Sequence, residues 1–328
     1  MAEYAKKQYR PEGMLIATAE NREYLASESN LERAMLNGKI LEGMALMCDR
    51  NLTLTVDLGC MRGIIPREEA VWSADGSMPK DIAVITRVGK AVCFRVLGME
   101  RGADGRPYAI LSRRAAQREC VRQYLADLIP GDIIDARITH MEQFGAFVDV
   151  GCGVISLLSI DCISVSRISH PRDRFAVGDL IRAVVRTVDT DAGKLYVSHK
   201  ELLGTWEENA ADFAIGQTVA GIVRSVEDYG IFVELTPNLA GLAEYREDVT
   251  IGQTAAVYIK NMIPERMKIK LVLVDAAKGE APVRHIRYYI DPSCEHLDRW
   301  RYSPEVCSKT VESVFESGLP LQSAAYRI

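Results

Sequence analysis

The sequence carries no excess of positive charge. Its 328 residues include 40 Lys and Arg against 45 Asp and Glu, which gives a net charge of −5. Proteins that hold duplex DNA neutralise many phosphates, so that class is disfavoured here. Any nucleic-acid surface must be a local patch. Binding by base stacking is less restricted, because it depends on rings rather than on net charge.

Paired metal ligands are also lacking. The eight cysteines are scattered singly without a C-x-x-C pair, and the five histidines show no ligand-pair spacing. His296, near Cys294 and Cys307, is the nearest approach to a cluster, but no four-ligand zinc set assembles in the sequence. We therefore expect buried reduced thiols, no metal site and no cofactor.

Signatures of common enzymes are missing as well. The sequence has no G-x-x-x-x-G-K-[ST] phosphate loop, no H-E-x-x-H zinc helix and no G-x-S-x-G nucleophile elbow. The acidic residues do not cluster as the metal ligands of a nuclease would. We predict that the protein is not an enzyme.

Long apolar segments are absent too. No apolar run approaches the roughly 20 residues of a membrane-spanning helix. The N-terminal MAEYAKKQYRPEG lacks the apolar core of a signal peptide. These features predict a soluble, cytoplasmic protein, and we expect the first eleven residues to be disordered.

What the sequence does contain is a threefold internal repeat. The copies open with GKILEGMA from Gly38, GDIIDARI from Gly131 and GQTVAGIV from Gly216. Thirteen residues after each opening glycine comes a matching block, which reads NLTLTV, FGAFVD or YGIFVE. Each copy later has an apolar residue followed by glycine, and each closes on an alternating apolar strand. Agreement in several registers indicates three copies of one module.

Each copy consists of short β-rich runs broken by glycine, which favours a small closed barrel of about five strands over a sandwich. Apolar residues at helical spacing predict connecting helices within residues 112–128 and 198–213. Ser29 and Glu32 have capping-box spacing and predict a short helix before the first barrel. Beyond the repeats, VRHIRYYI at 283–290 is strand-like, and a helix is predicted from Pro304 to Glu316.

The second copy resembles the RNA-binding repeat of bacterial ribosomal protein S-one. The resemblance rests on FGAFVDV from Phe144, the later Val177–Gly178 pair and DTDAGKLYVSHK from Asp189. It covers roughly residues 38–275, strongly in the second copy, well in the third and weakly in the first. It implies five-stranded OB-fold barrels that bind single-stranded RNA.

The predicted fold is therefore all-β, with three tandem five-stranded OB-fold barrels joined by short helices and a small α/β C-terminal extension. We expect seven segments along the chain: an N-terminal tail and short helix at 1–37, a degenerate first repeat at 38–116, a helical linker at 117–129, the second repeat at 130–202, a helical linker at 203–214, the third repeat at 215–275, and an extension of unknown role at 276–328.

Two aromatic pairs are the main candidates for RNA contact. Phe144 and Phe147 in the second repeat, and Tyr229 and Phe232 in the third, occupy the same register. Rings three residues apart share a face only if the strand bends, which Gly145 permits. Exposed rings would stack on successive bases. The alternative is that these rings face the core, where aromatics usually lie.

The resemblance also implies polar contacts beside the rings. In the second repeat it places Ser159 where the family has histidine, with Asp189 and Lys194 at its acidic and basic positions. In the third repeat Glu244 stands at the histidine position and Lys268 at the basic one, and Ile263 replaces the acid. Because Glu244 would repel phosphate, the second repeat is the better RNA candidate.

Two arginines and the first repeat complete the candidates. Arg172 and Arg174 are expected on a loop near the barrel mouth, either contacting phosphate or simply solvated. The first repeat has Asn51 and Leu54 at the aromatic positions, Pro66 at the histidine position and an insert at roughly 72–80. We expect this repeat to bind protein rather than RNA, and the resemblance implies that its partner is the small ribosomal subunit.

These features predict a protein that binds single-stranded mRNA in translation, by base stacking plus Lys and Arg contacts to phosphate. A protein-interaction scaffold of the translation or transcription machinery with weak RNA affinity is the alternative. A third reading is an RNA-processing enzyme with its active site in residues 276–328, although that segment is short for a catalytic domain.

Overall fold

The computed structural model describes residues 9–189, 194–280 and 286–315. Three closed barrels of five strands follow one another along the chain, so the predicted all-β fold of tandem barrels is confirmed. Among the described residues, no helix is both long and apolar enough to cross a membrane.

The first barrel contains strands β1 to β5, which are Leu41–Cys48, Leu54–Asp57, Arg62–Ile65, Ala91–Arg101 and Pro107–Ser112. The second contains β6 to β10, which are Ile133–Glu142, Gly145–Asp149, Ile155–Ser159, Leu180–Asp189 and Lys194–Ser198. The third contains β11 to β15, which are Thr218–Glu227, Gly230–Thr236, Leu239–Ala243, Gln253–Ile263 and Lys268–Glu280.

All three barrels close in the same way. The first strand pairs antiparallel with the second and the fourth, and the third strand pairs parallel with the fifth. Each first strand also shifts register at one place, between Ala45 and Met47, Ile138 and His140, or Val223 and Ser225. Such a bulge bends and twists the strand, which allows it to join two halves of a closed sheet.

In the part of the chain that the structure describes, five α-helices lie outside the barrels. They are α1 at Ala19–Leu25, α2 at Glu28–Leu36, α3 at Asp81–Ile85, α4 at Arg113–Gln123 and α5 at Trp206–Ala210. The predicted connectors are present as α4 and as a 3-10 turn followed by α5. The helix expected after Ser29 begins earlier, because the Ser27 hydroxyl accepts from the Asn30 amide and caps it.

The N-terminal expectation is wrong for residues 9–11. The Tyr9 side chain is buried, lies parallel to the Tyr124 ring at a centroid distance of 6.0 Å, and donates to Gln123 Oε1 at 2.7 Å. The segment is held because Glu12, next along the chain, enters the junction between the first two barrels. The rest of the segment expected to be disordered, residues 1–8, lies outside the described residues.

A buried acid joins the first and second barrels. Glu12 forms an ion pair with Arg113 of α4 at 2.6 Å, and both side chains are almost fully buried. The Glu12 amide donates to Asp149 of the second barrel at 2.7 Å, and its carboxylate accepts from the Cys93 amide of the first at 3.0 Å. Desolvation favours the protonated acid, but the charges of Arg113 and Arg87 and the hydrogen bonds from Arg113 and the Cys93 amide outweigh it, so the pKa of Glu12 is lowered.

A second buried network joins the second and third barrels. Arg174 pairs with Glu234 at 2.5 Å, and Arg224 reaches the same carboxylate at 2.8 Å. Arg224 also pairs with Asp173 at 3.2 Å. Nearby, the Asn238 side chain accepts from the Val165 amide and donates to the carbonyls of Lys200 and Gly204. These contacts hold the second and third barrels in a fixed orientation.

The C-terminal extension lies across the same two barrels. The amide of Leu297 donates to Gly131 of the second barrel, and the Tyr302 hydroxyl donates to the carbonyl of Asn238 in the third. Strands β16 at Arg299–Arg301 and β17 at Glu312–Val314 pair antiparallel and place Trp300 against the third-barrel core. The extension therefore fastens the second barrel to the third.

Two predictions for this extension are wrong. Residues 286–290 of the strand-like segment form no strand, and residues 283–285 lie outside the described part. The helix predicted from Pro304 is absent over 304–315, where β17 forms instead. The reason is tertiary: Tyr302 and Phe315 are buried against the barrels, and an extended chain reaches both sites.

Removing one partner of the second network should be costly. We expect Glu234→Ala to lower the free energy of unfolding by about 3–5 kcal/mol, because Arg174 would stay buried without a counter-charge. Urea denaturation measures the change, with Glu265→Ala on the exposed surface as the control. A loss as small as the control's would show that the network contributes nothing to stability.

A buried histidine should make stability depend on pH. His199 is fully buried, its Nδ1–H donates to the Ile163 carbonyl at 3.1 Å, and its Nε2 accepts from the Tyr288 hydroxyl at 3.2 Å. Burial lowers its pKa from 6.5 to about 4. The unfolded chain therefore takes up the proton first, and this stabilisation is present above pH 6.5 and is lost as pH falls toward 4.

Between pH 7.5 and 5.5, His199 should account for a loss of about 1.3 kcal/mol. The test compares urea denaturation of the protein and of His199→Gln at both pH values. The variant should lack this part of the pH dependence, whereas His140→Gln, which changes an exposed histidine, should retain it. An identical slope in His199→Gln would contradict the assignment.

Candidate nucleic-acid interface

A row of side chains crosses the outer face of the second barrel. His140, Phe147, Leu157 and Tyr196 are direct neighbours across β6, β7, β8 and β10. Opposed residues on paired strands point to the same face of the sheet. The residues that alternate with them, such as Val148 and Leu158, are fully buried, so the row faces outward.

Phe144 extends this row at the start of β7. Its side chain is 56% exposed, and its ring stands edge-on to Phe147 at a centroid distance of 5.9 Å. His140 lies over the other side of Phe147 at 6.0 Å, with 24° between the rings. Both phenylalanines lie on the surface, and the core-facing alternative does not describe them.

Gly145 is required between the two phenylalanines by close approach. A Cβ atom built there would lie 2.5 Å from the Leu158 carbonyl oxygen, which no side chain tolerates. The contact draws β7 against β8 and lets the Ile160 amide donate to the Phe144 carbonyl at 3.0 Å. Phe144 is thereby anchored at the strand end beside Ser159, which pairs with Gly145.

Ser159 is present at the predicted place, but its hydroxyl is engaged. It donates to Asp161 Oδ1 at 2.6 Å, and this bond lowers the pKa of Asp161. The hydroxyl therefore offers its lone pairs to a ligand rather than its proton. From the sequence alone Ser159 would be expected to donate one hydrogen bond to RNA, but Asp161, in the turn after β8, accepts that proton instead.

The third barrel repeats the outer row with different chemistry. Phe232 is flanked by Ser225 on β11 and Leu242 on β13, and Leu242 pairs with Lys270 on β15. Tyr229 is 70% exposed, and its ring stands edge-on to Phe232 at 6.2 Å. The two barrels therefore present the same ring pair, with Ser225 in place of His140 and Lys270 in place of Tyr196.

An open groove of about 560 Å³ lies over this third-barrel pair. Three lysines line it, Lys260, Lys268 and Lys270, and none of them pairs with an acid within the described ranges. Glu244 stands in the same groove, one residue past the end of β13. The lysines outnumber this acid, so the groove can hold phosphate despite the repulsion expected from Glu244.

The other residues predicted to contact RNA do not lie together in the structure. Arg172 is exposed on a 3-10 turn at Pro171–Asp173. Arg174 is 4% exposed and bound to Glu234, so its predicted place on a solvated loop is wrong. The buried Glu234 carboxylate draws it into the barrel junction. Asp189 is exposed and pairs in register with Lys194, whose side chain lies outside the described part.

The first barrel has no ring pair. Leu54, one of the two positions aligned with the aromatics, is fully buried, and the outward position on its strand is Thr55. The sequence alignment of the first repeat with the second is therefore off by one residue on this strand. In the first barrel the paired residues Met47 and Thr55 are eight positions apart, whereas the equivalent pair in the second barrel, His140 and Phe147, is seven positions apart. The corresponding row, Met47, Thr55, Ile64 and Ile110, carries no ring.

Four side chains that lie beside the two ring pairs were not predicted from the sequence. They are His140, Tyr196, Lys260 and Lys270. Tyr196 had a local signal, since it alternates with the buried Leu195 and Val197. Lys270 shares a strand and an exposed face with Lys268. His140 and Lys260 come from other strands, so only the pairing of the barrel brings them to the rings.

No group of three or more His, Cys, Asp or Glu side chains in the described ranges could hold a metal ion. His296, the residue nearest to a cluster in sequence, is instead bonded to Asp132 through Nδ1 at 2.8 Å. That bond helps to attach the C-terminal extension to the second barrel.

Similar proteins were found at the level of both sequence and structure. A family model described as the S1 RNA binding domain matches residues 127–200. The chain is 29% identical over 212 residues to the small ribosomal subunit protein bS1 of Leuconostoc lactis, covering 60% of this chain and 49% of that protein. It is also 29% identical over 271 residues to a bS1 homolog of Bacillus cereus, covering 79% and 66%.

A solved structure of a multidomain protein with nucleic acid binding domains from Streptococcus pneumoniae is similar with 15% identity, covering 72% of this chain and 73% of that one. Its TM-score of 0.24 is too low to carry an argument about how the barrels are arranged. The chain spans about half the length of the Leuconostoc relative, at 49%, and 58% of the Staphylococcus aureus relatives.

The family match covers the whole second barrel, including its ring pair and its closing strand. The ribosomal relatives extend the similarity over most of the chain. The second barrel therefore matches the S1 RNA binding domain, and the chain as a whole is similar to the bS1 proteins.

Proposed function

We propose that this protein binds single-stranded RNA on the outer faces of its second and third barrels and acts in translation. Successive bases stack on Phe144 and Phe147 in one barrel and on Tyr229 and Phe232 in the other. Basic side chains beside the rings contact the phosphates. The protein is expected to work without a cofactor or catalytic step.

The observation that carries the proposal is the repetition of one exposed ring pair in two barrels. Large aromatic side chains are usually buried, yet Phe144 and Tyr229 are more than half exposed. Their edge-on pairing with Phe147 and Phe232 recurs with nearly the same spacing. The cores of both barrels are filled by other residues, so the exposed rings are free to contact a ligand. Each stacked base is worth roughly 1–3 kcal/mol.

The two barrels would bind RNA with different contributions from base stacking and from phosphate contacts. The second barrel offers an aromatic row from His140 to Tyr196, which favours stacking. The third offers three lysines around its rings, which favours phosphate contacts. RNA that spans both barrels would gain from their linkage, because the second contact is made at high effective concentration.

The relatives support the cellular setting. Because they carry the name of a small ribosomal subunit protein, we propose mRNA as the ligand, the small ribosomal subunit as a partner and the cytoplasm as the location. The first barrel lacks rings on its corresponding row, so it is the candidate for the protein contact. Co-sedimentation with small subunits, with and without mRNA, tests this assignment.

The alternative is an interaction scaffold with little RNA affinity. The net charge of −5 and the ring-free first barrel favour it. Filter binding of a pyrimidine-rich RNA at low salt separates the two functions. Retention supports RNA binding, and no retention would leave the scaffold as the better account.

The double variant Phe144→Ala with Phe147→Ala should weaken binding of single-stranded RNA about tenfold or more, because two stacking surfaces are removed. Fluorescence anisotropy with a labelled pyrimidine-rich RNA measures the dissociation constant. Tyr258→Ala is the matched control, since it removes an exposed ring outside both rows. An unchanged dissociation constant in the double variant would show that RNA does not stack on Phe144 and Phe147.

The double variant Lys268→Ala with Lys270→Ala should change the salt dependence. Each lost phosphate contact to a single strand flattens the slope of log K against log salt by about 0.7, so the expected change is about 1.4. Binding measured over a salt series gives the slope, and Lys309→Ala, on the exposed extension, should leave it unchanged. Equal slopes in all three proteins would show that the groove lysines do not touch phosphate.

A further inference from the structure

The groove of the third barrel contains an acid where a nucleic-acid surface would be expected to have none. Glu244 follows Ala243, the last residue of β13, and Ala243 pairs with Ile231. This places Glu244 across from Gly230 and next to Tyr229, the most exposed ring of the pair. The carboxylate, both rings and the three lysines all line one groove.

Glu244 has no structural task that would account for it. Its side chain is exposed, and no described residue donates a hydrogen bond to its carboxylate or pairs with its charge. Glu234 on β12, by contrast, is buried and bonded to two arginines. Glu227, at the end of β11, is exposed and pairs in register with Gly230, but it does not line the groove. The carboxylate of Glu244 is therefore available to a ligand held against Tyr229.

The chemistry of a carboxylate selects among bases. An ionised carboxylate has two oxygens that only accept hydrogen bonds. On its Watson–Crick edge guanine offers two adjacent donors, N1–H and the N2 amino group. Adenine and cytosine each offer one donor next to an acceptor, and uracil offers one donor between two acceptors. A carboxylate at the edge of a stacked base therefore pairs with guanine through two bonds and with the others through one.

The lysines of the same groove complete this match. The guanine edge also carries the O6 acceptor, which a lysine ammonium can satisfy. Lys270 pairs in register with Leu242, two residues before Glu244, and is the groove lysine closest in register to the acid. The other lysines can hold the flanking phosphates and offset the repulsion from Glu244. The groove thus contains both the acceptor and the donor that a guanine edge would engage.

The second barrel lacks this combination. Its corresponding residue is Ser159, whose hydroxyl proton is committed to Asp161. Its row ends on Tyr196 rather than on a lysine. Stacking there accepts any base, because every base has a π-face.

We propose that the third barrel selects guanine, with Tyr229 and Phe232 holding the base and Glu244 accepting from its N1–H and N2 amino groups. This inference rests on the proposed function, since it requires that single-stranded RNA lies on the ring pair. It makes Glu244 the residue that determines base preference.

The test uses the full chain carrying Phe144→Ala and Phe147→Ala, so that the third barrel dominates binding. The probes are short labelled oligouridines with one central guanosine, inosine or adenosine, measured by fluorescence anisotropy. Guanosine should bind about tenfold tighter than adenosine, in the range that a bidentate base contact supplies. Inosine lacks the N2 amino group and should fall between them.

Glu244→Gln should reduce the preference for guanosine over adenosine to less than about twofold, because an amide presents one acceptor and one donor. Glu247→Gln is the matched control, since it removes the same charge from an exposed residue outside the groove and should keep the preference. Equal binding of the three probes, or equal effects of the two variants, overturns the guanine assignment while RNA binding stands. Failure of the unaltered protein to bind any of the probes overturns both proposals.

Discussion

Closure of each five-stranded sheet is the constraint on which the rest of the molecule depends. The third strand must pair parallel with the fifth, and the first must turn to meet both the second and the fourth. The bulge in the first strand makes that turn possible. Once the ring of strands is closed, every alternate residue is committed to the core and its neighbours to the surface. The exposure of Phe147 and Phe232 follows directly from this alternation.

Closure also explains why the ring pairs need glycine. Phe144 and Tyr229 lie at the start of the second strand, where the chain has to approach the third strand closely. A Cβ at Gly145 or Gly230 would lie 2.5 Å from the carbonyl oxygen of that strand. Glycine therefore permits the hairpin to tighten so that two rings three residues apart meet edge-on. The surface chemistry is built on a steric requirement of the fold.

Between barrels, buried charge takes the place of a flexible tether. Glu12 with Arg113 and Glu234 with Arg174 lie at the two junctions, and each pair is almost fully desolvated. Such pairs are weak sources of net stability, but an unpaired member is very unfavourable, which penalises any other arrangement of the barrels. The C-terminal extension adds backbone bonds to both the second and third barrels. An RNA would thus meet two platforms that are held in one arrangement.

The sequence by itself determined the number of modules, their all-β character and the ring positions, because these depend on local glycine spacing and strand alternation. Tertiary structure decided the rest. Arg174 was expected at the surface and is buried, because its partner Glu234 lies 60 positions away in the chain. The predicted helix after Pro304 became extended because Tyr302 and Phe315 fill sites on the barrels. His140 and Lys260 join the ring pairs only through barrel pairing, and no local pattern in a sequence records which strands become neighbours.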